Sequence, residues 1–285
     1  MNNRLAIYYI IVSTVSTSIM FALVKQLNNF SVYQIIFFRA LITIMFTTPL
    51  ILKQKIPIMG NNKSLLVIRG LLGFISMVCF YHSIKYLTLG VSFSIRYTAP
   101  IFAAIFAVFI LKESIKLKQW ILLLISLCGV GIIKIVEINI NTTGFIYSFT
   151  SAVLLGLVYV ITRKIGKTEN TLVIVNYFMC ISLIFTPLMS IGKWVSPSLL
   201  ELVLLISSGF FGFLGILFLT KAFQNAEVKI IAPFKYLEVV FSFFIGFYFF
   251  GEANTGLILL GSIFILFGAF WNVFENNNNP NKIRY

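Results

Sequence analysis

Apolar runs of about twenty residues recur almost end to end along this chain, at about 5–24, 31–52, 64–84, 89–111, 118–136, 143–162, 171–192, 199–220, 228–250 and 255–273. A helix rises about 1.5 Å per residue, so each run spans about 30 Å, the thickness of a bilayer's hydrocarbon core. No water is available there to satisfy backbone N–H and C=O groups, so a spanning segment of this kind closes its hydrogen bonds internally, as a helix. The pattern predicts an all-α membrane protein with ten transmembrane helices. Composition points the same way. The chain is 59% hydrophobic and 11% charged, with a mean hydropathy of +0.99, whereas soluble domains are about half apolar and about 25% charged.

The first run begins at Leu5, behind Arg4, and continues to about Val24. It is longer than the roughly 7–15-residue apolar region of a secretory signal and no Ala-x-Ala site follows, so it reads as a retained span. At the other end, residues 275–285 hold four consecutive asparagines and Pro280 and read as a disordered tail.

The formal charge of +14 is distributed with a bias. With the N-terminus in the cytoplasm, the cytoplasmic connectors and tails carry Arg4, Lys53, Lys55, Lys63, Lys112, Lys116, Lys118, Arg163, Lys164, Lys167, Lys221, Lys229, Lys282 and Arg284. The opposite side carries only Lys25, Lys85, Lys134 and Lys193. The positive-inside rule then places both termini in the cytoplasm. The positive charge is accounted for by topology, and no continuous basic face is left for nucleic acid. Cys79, Cys128 and Cys180 lie singly inside apolar runs and His82 is the only histidine. That set, without CxxC spacing, a Walker loop, HExxH, GxSxG or GxGxxG, predicts no metal, no cofactor and no enzyme.

An internal repeat underlies the spans. At an offset of 139 residues Gly70-Leu71-Leu72-Gly73-Phe74 falls on Gly209-Phe210-Phe211-Gly212-Phe213, Arg96-Tyr97 on Lys235-Tyr236, Glu113 on Glu252 and Gly129 on Gly268. At an offset of 138, Thr48-Pro49-Leu50 falls on Thr186-Pro187-Leu188. The units, 5–137 and 143–273, each hold five spans, an odd number, so the second enters the membrane from the opposite side. Two inverted five-helix repeats related by an in-plane pseudo-two-fold are an architecture of secondary transporters.

The stretches RGLLGF at 69–74, YTAPIFAAIFAVFILKE at 97–113 and APFKYLEVVFSFFIGFYFFGE at 232–252 resemble the EamA family of the drug/metabolite transporter superfamily, and the resemblance covers essentially the whole chain. It implies a ten-span carrier of small organic metabolites in the bacterial inner membrane, with the substrate path between the repeats. The segment KAFQNAEVKIIAPFKYLEVV at 221–240 is most similar to S-adenosylmethionine uptake transporters of intracellular bacteria, and carriers of riboflavin and of amino acids share much of it.

Charges deep in a bilayer are expensive and mark a pathway or a pair. Arg39, Arg96, Lys235 and Glu238 are such charges. Arg96 and Lys235 each lie about seven residues, or about 10 Å, into their spans from opposite faces, which brackets the midplane. Glu238 shares a helix face with Lys235, and its repeat partner is Ala99. Pro100 and Pro233 remove a backbone donor beside the charges and favour a bend in each helix. Tyr97 and Tyr236 adjoin the two cations, which makes the candidate substrate site Arg96, Tyr97, Lys235, Tyr236, Glu238 and Arg39. Plainer readings stand beside this one: an intrahelical Lys235–Glu238 ion pair, and snorkelling of Arg96 to an interface. Arg69 and His82 read as interfacial residues.

Three cations against one carboxylate favour a substrate bearing a carboxylate, such as an amino-acid-like zwitterion or S-adenosylmethionine, with Glu238 meeting its amino or sulfonium group or a coupling proton. Without an ATPase motif, energy comes from a gradient or an exchanged metabolite. The alternatives are an exporter of amino acids or other metabolites, a riboflavin-type uptake carrier, and a non-transporting membrane protein. The last would need a soluble output domain, and the connectors are too short for one.

Overall fold

The computed structural model describes residues 3–27, 29–87, 89–134, 141–166 and 168–250, together with 263, 264 and 267. The described segments fold as α1 (Asn3–Lys25), α2 (Val32–Lys53), α3 (Lys63–Tyr86), α4 (Leu89–Arg96), α5 (Ala99–Leu111), α6 (Leu117–Lys134), α7 (Thr142–Ile165), α8 (Thr171–Met189), α9 (Leu199–Asn225), α10 (Val228–Ile231), a 3-10 helix (Ala232–Tyr236) and α11 (Leu237–Phe250). No strand occurs among the described residues. These helices fall on the predicted spans, the fourth being split into α4 and α5 and the ninth into α10, the 3-10 turn and α11. Of the predicted span at 255–273 only residues 263, 264 and 267 are described, and the tail at 275–285 lies outside the described residues, as does Glu252.

Among the described residues six helices, α1, α2, α3, α7, α8 and α9, are long and apolar enough to cross a membrane. Large apolar side chains are exposed on the surface, and the apolar interior also holds hydroxyls. Phe109, Ile191 and Leu199 are 76%, 77% and 82% exposed, while Ser13, Ser76, Ser148, Ser151 and Ser208 are buried. Lipid solvates the first set, and the second bonds inward. The chain is an all-helical, multi-pass membrane protein.

Connector residues start the helices by capping their free N–H groups. Asn62 accepts from Leu65 N at 3.2 Å, Asn141 from Gly144 N at 3.1 Å and Asn170 from Leu172 N at 2.9 Å. Ser198 and Glu201 form a capping box at the start of α9. Inside the spans, hydroxyls satisfy themselves on their own helix. In α2, Thr43 donates to Arg39 O at 2.8 Å and Thr47 to Thr43 O at 3.0 Å. In α8, Ser182 donates to Phe178 O at 2.9 Å and Thr186 to Ser182 O at 2.8 Å. The two ladders occupy positions 139 apart.

Side by side, α1 packs along α9, α3 along α7 and α2 along α8. Small residues set how closely they approach. A Cβ at Gly209 would lie 2.8 Å from Ile42 Cβ, and one at Gly70 would lie 2.5 Å from Ile181 Cδ1. One at Gly212 would lie 2.8 Å from Arg39 Nε, and one at Gly73 3.1 Å from the Phe178 ring. These contacts exchange partners under the 139-residue offset: Gly70 becomes Gly209 as Ile42 becomes Ile181, and Gly73 becomes Gly212 as Arg39 becomes Phe178. Polar bonds reinforce the same seams. Ser13 donates to Gly215 O at 2.8 Å between α1 and α9, and Ser76 and Ser151 each donate to the other's carbonyl, at 2.9 and 2.8 Å, between α3 and α7.

Candidate functional site

Two helix breaks carry Arg96, Lys235 and Glu238. α4 ends at Arg96, and α5 begins at Ala99 with Pro100 in its first turn. The Thr98 hydroxyl turns back to Ile95 O at 2.7 Å rather than capping α5. The second break is the 3-10 helix, which opens with Ala232 and Pro233, carries Lys235 and leads into α11 with Glu238 in its first turn. Proline lacks the N–H that would continue the helical ladder, so the chain is interrupted beside each cation, as expected from the two prolines.

Arg39, Arg96, Tyr97, Lys235 and Glu238 line one cavity of about 60 Å³, with Thr17 of α1, Tyr159 of α7 and Gly215 of α9. Lys235 Nζ pairs with Glu238 Oε1, and both residues are 6% exposed. Ser18 Oγ, which donates to Thr14 O at 2.9 Å, also lies 3.4 Å from Glu238 O, so α1 sits against this turn. The Arg96 guanidinium carbon stands 3.9 Å from the centroid of the Phe80 ring. A desolvated cation–π contact of this kind is worth about 2 kcal/mol. Phe80 is itself held edge-on by Phe21 and Phe93, with ring centroids 5.8 and 5.0 Å away. Arg39 Nη1 lies 3.6 Å from Met77 Sδ, and its buried Nε has no hydrogen-bond partner among the described residues.

Tyr236, the remaining residue of the expected site, is fully buried and is not among the cavity-lining residues. Its ring lies 6.4 Å from that of Tyr97. Thr17, Tyr159 and Gly215 line the cavity without having been singled out in the sequence. A signal for Thr17 does exist, since Ser13, Thr14, Ser16, Thr17 and Ser18 crowd hydroxyls into the middle of a span. Tyr159 and Phe80 carry none, being ordinary aromatic residues of apolar runs.

Arg69 corrects the sequence reading. It is 1% exposed rather than interfacial, with Nε donating to Thr162 Oγ1 at 3.3 Å and its guanidinium 5.0 Å from the Phe178 ring centroid. His82 is part-buried against Tyr33, with Nε2 at 3.1 Å from the phenol oxygen.

A second polar cluster joins the ends of α3, α5, α7 and α9, away from the cavity. Glu169 Oε1 accepts from the backbone N–H groups of Asn61, at 2.7 Å, and of Asn62. Gly60 beside it has φ +63°, and a Cβ there would lie 2.6 Å from Glu169 Oε2, so only glycine fits the turn. Arg163 meets Glu113 at 3.7 Å and donates to Gln224 O at 2.9 Å. Among the described residues no group of His, Cys, Asp and Glu is arranged to hold a metal ion.

Comparison with known proteins places these features in context. The model of the EamA-like transporter family matches twice, over residues 4–135 and 142–274. The chain is 27% identical over 259 residues to the pseudopaline exporter CntI of Pseudomonas aeruginosa, covering 90% of this chain and 91% of that one. It is 24% identical over 290 residues to the S-adenosylmethionine uptake transporter of Rickettsia prowazekii, covering 98% and 97%. Human solute carrier family 35 member G1 is 27% identical over 282 residues, covering 92% of this chain and 77% of that protein. A solved crystal structure superposes on 96% of the chain with a TM-score of 0.83 at 15% identity, so the fold is shared.

Proposed function

The chain belongs to the EamA-like transporter family, and from that premise we propose that it is a secondary carrier that moves a small, carboxylate-bearing, amino-acid-like metabolite across the bacterial inner membrane by alternating access. The observation that carries this reading is the convergence of Arg39, Arg96, Lys235 and Glu238, from four separate elements, on one cavity. Isolated charges at these depths would be retained only with difficulty. Around a cavity they can be solvated by water or by a substrate. Carboxylate is the ligand that guanidinium geometry favours, and the ring of Tyr159 and the hydroxyl of Thr17 supply apolar and polar surface beside it.

The architecture proposed is ten spans in two inverted five-helix repeats, 5–137 and 143–273, followed by a polar tail at 275–285. Exchange of the glycine contacts under the 139-residue offset supports it, because a two-fold relation turns each contact between halves into a second one with the partners swapped. Tyr97 and Tyr236 are equivalent under that offset and touch one another, which is expected of residues lying on the axis. The site therefore sits where two mobile halves would meet. The bias of Lys and Arg supports cytoplasmic placement of both termini. Drive would come from a proton or an exchanged metabolite.

Relatives include an exporter and an uptake transporter. Uptake of radiolabelled amino acids, S-adenosylmethionine and riboflavin into proteoliposomes tests the reading. A saturable amino-acid-type flux is expected, with Arg96→Ala and Lys235→Ala each weakening it about ten- to hundredfold, as loss of a charged hydrogen bond implies. Wild-type flux in both variants, or flux of riboflavin alone, would overturn the site or the substrate class.

A further inference from the structure

The charges that line the cavity do not balance, and they fail to balance in a particular way. Lys235 is already matched, because Glu238 holds its ammonium in a direct pair. Arg39 and Arg96 are not. Among the described residues neither has a carboxylate within ion-pair distance. Arg96 rests on the face of Phe80, and Arg39 meets only a thioether sulfur, with Nε unpartnered. Both nevertheless line the same cavity. Their supports, Met77 and Phe80, are three residues apart on α3, a rise of roughly 4.5 Å along that helix. A ring face and a thioether hold a cation without neutralising it, which leaves both planar forks free for an anion.

We propose that the substrate is a dicarboxylate, an amino acid bearing a second carboxylate, with one carboxylate at Arg96 and the other at Arg39. This rests on the carrier reading and sharpens its substrate class. Two carboxylates on one molecule meet the two unpaired guanidinium groups one to one, and a single carboxylate meets only one of them. S-adenosylmethionine, with one carboxylate, an ammonium and a sulfonium, carries a net positive charge and would leave one guanidinium unmatched, whereas an amino acid with a second carboxylate carries a net negative one. The spacing of the supports suits carboxylates a few bonds apart on one small molecule. Gly212 takes part as well, since the absence of a Cβ there leaves the Arg39 side chain room to lie across α9.

Matched acid and amide pairs provide the test: glutamate with glutamine, 2-aminoadipate with its side-chain amide, and succinate with succinamate. Binding of each to the purified full-length protein is measured by calorimetry, alongside proteoliposome uptake. The acid of at least one amino-acid pair should bind tenfold or more tightly than its amide. Arg39→Gln should bring that ratio close to one, and Arg39→Lys, which keeps the charge and loses the fork, should retain part of it. Size-exclusion profiles and circular dichroism confirm that both variants are folded. The dicarboxylate assignment is overturned if acids and amides bind alike, if no acid in the panel binds, or if Arg39→Gln weakens acid and amide by one common factor. Failure of the carrier reading looks different: acid-selective binding would persist without uptake. Uptake of glutamine or S-adenosylmethionine with no acid preference would leave the carrier standing and remove this inference alone.

Discussion

Neutralising Glu238 and neutralising Lys235 are not equivalent changes, although the two side chains form one pair. Glu238→Gln leaves Lys235, Arg96 and Arg39 facing one cavity with no lining carboxylate, whereas in Lys235→Met the Glu238 carboxylate still has Arg96 as an electrostatic neighbour. Breaking a buried pair from one side costs about 3–5 kcal/mol. Glu238→Gln should fall toward the upper end of that range, Lys235→Met toward the lower, and the double variant should be more stable than Glu238→Gln alone. Thermal unfolding in lipid nanodiscs measures this, and a Glu238→Gln protein as stable as the wild type would show that the pair carries no such energy. The same residues show what can be read in a sequence of this kind. Arg39, Arg96, Lys235 and Glu238 are legible because a charge in an apolar run is costly wherever its helix points. Arg69 is legible as a charge but not in its environment. Its depth along α3 is visible in the sequence, while the Thr162 and Phe178 side chains that close over it arrive from α7 and α8. Thr17 is legible as one of a crowd of hydroxyls inside a span, whereas Tyr159 is chosen for the cavity by helix rotation alone, which an apolar run with no polar face does not record.

Between helices, a glycine matters in proportion to how stiff its neighbour is. A methyl group at Gly209 would meet the branched Cβ of Ile42 at 2.8 Å, an atom that cannot withdraw without moving α2. At Gly70 the nearest atom is Ile181 Cδ1 at 2.5 Å, the far end of a flexible chain, and the Phe178 backbone is 3.5 Å away. Gly209→Ala should therefore destabilise by about 1–3 kcal/mol, the range for overpacking, and Gly70→Ala by clearly less. Melting temperatures of the two variants in one detergent decide it, and equal losses would mean that the helices adjust as rigid bodies rather than through side chains. The offset that relates Gly70 to Gly209 is plain in the sequence, and so are the prolines that precede the helix breaks. How the breaks are realised is not. An α-helical restart at Ala99 and a 3-10 turn at Ala232–Tyr236 follow from two similar proline signals. Proline dictates that a ladder bond is lost. The packing of each turn against its neighbours decides which geometry absorbs the loss.

For the whole molecule the decisive quantity is volume. Small-molecule pockets run to about 300–1,000 Å³, and the cavity between the halves is about 60 Å³, room for about four water molecules. Loading a metabolite requires the walls to part, and the walls belong to α1, α2, α7 and α9 as well as to the broken helices. The polar contacts joining the two halves away from the cavity indicate where separation is resisted. At one end of the bundle Glu169 grips the turn at Asn61 and Asn62, and Arg163 reaches Glu113. If the path opens alternately toward the two faces, these contacts must break once in every cycle. In a variant lacking Cys79, Cys128 and Cys180, cysteines placed at Asn61 and Glu169 and joined by a short bifunctional thiol reagent with a reducible link should arrest proteoliposome flux. Reduction of the link should restore it, and either cysteine alone, treated identically, should transport normally. Substrate binding measured on the joined protein separates two kinds of arrest. Retained binding means that the cavity still fills from the opposite face, and lost binding means that this end is the one through which it fills. Undiminished flux with the bridge in place would show that the halves do not separate here, and the cavity would have to widen by movement of the α4–α5 and 3-10 breaks alone.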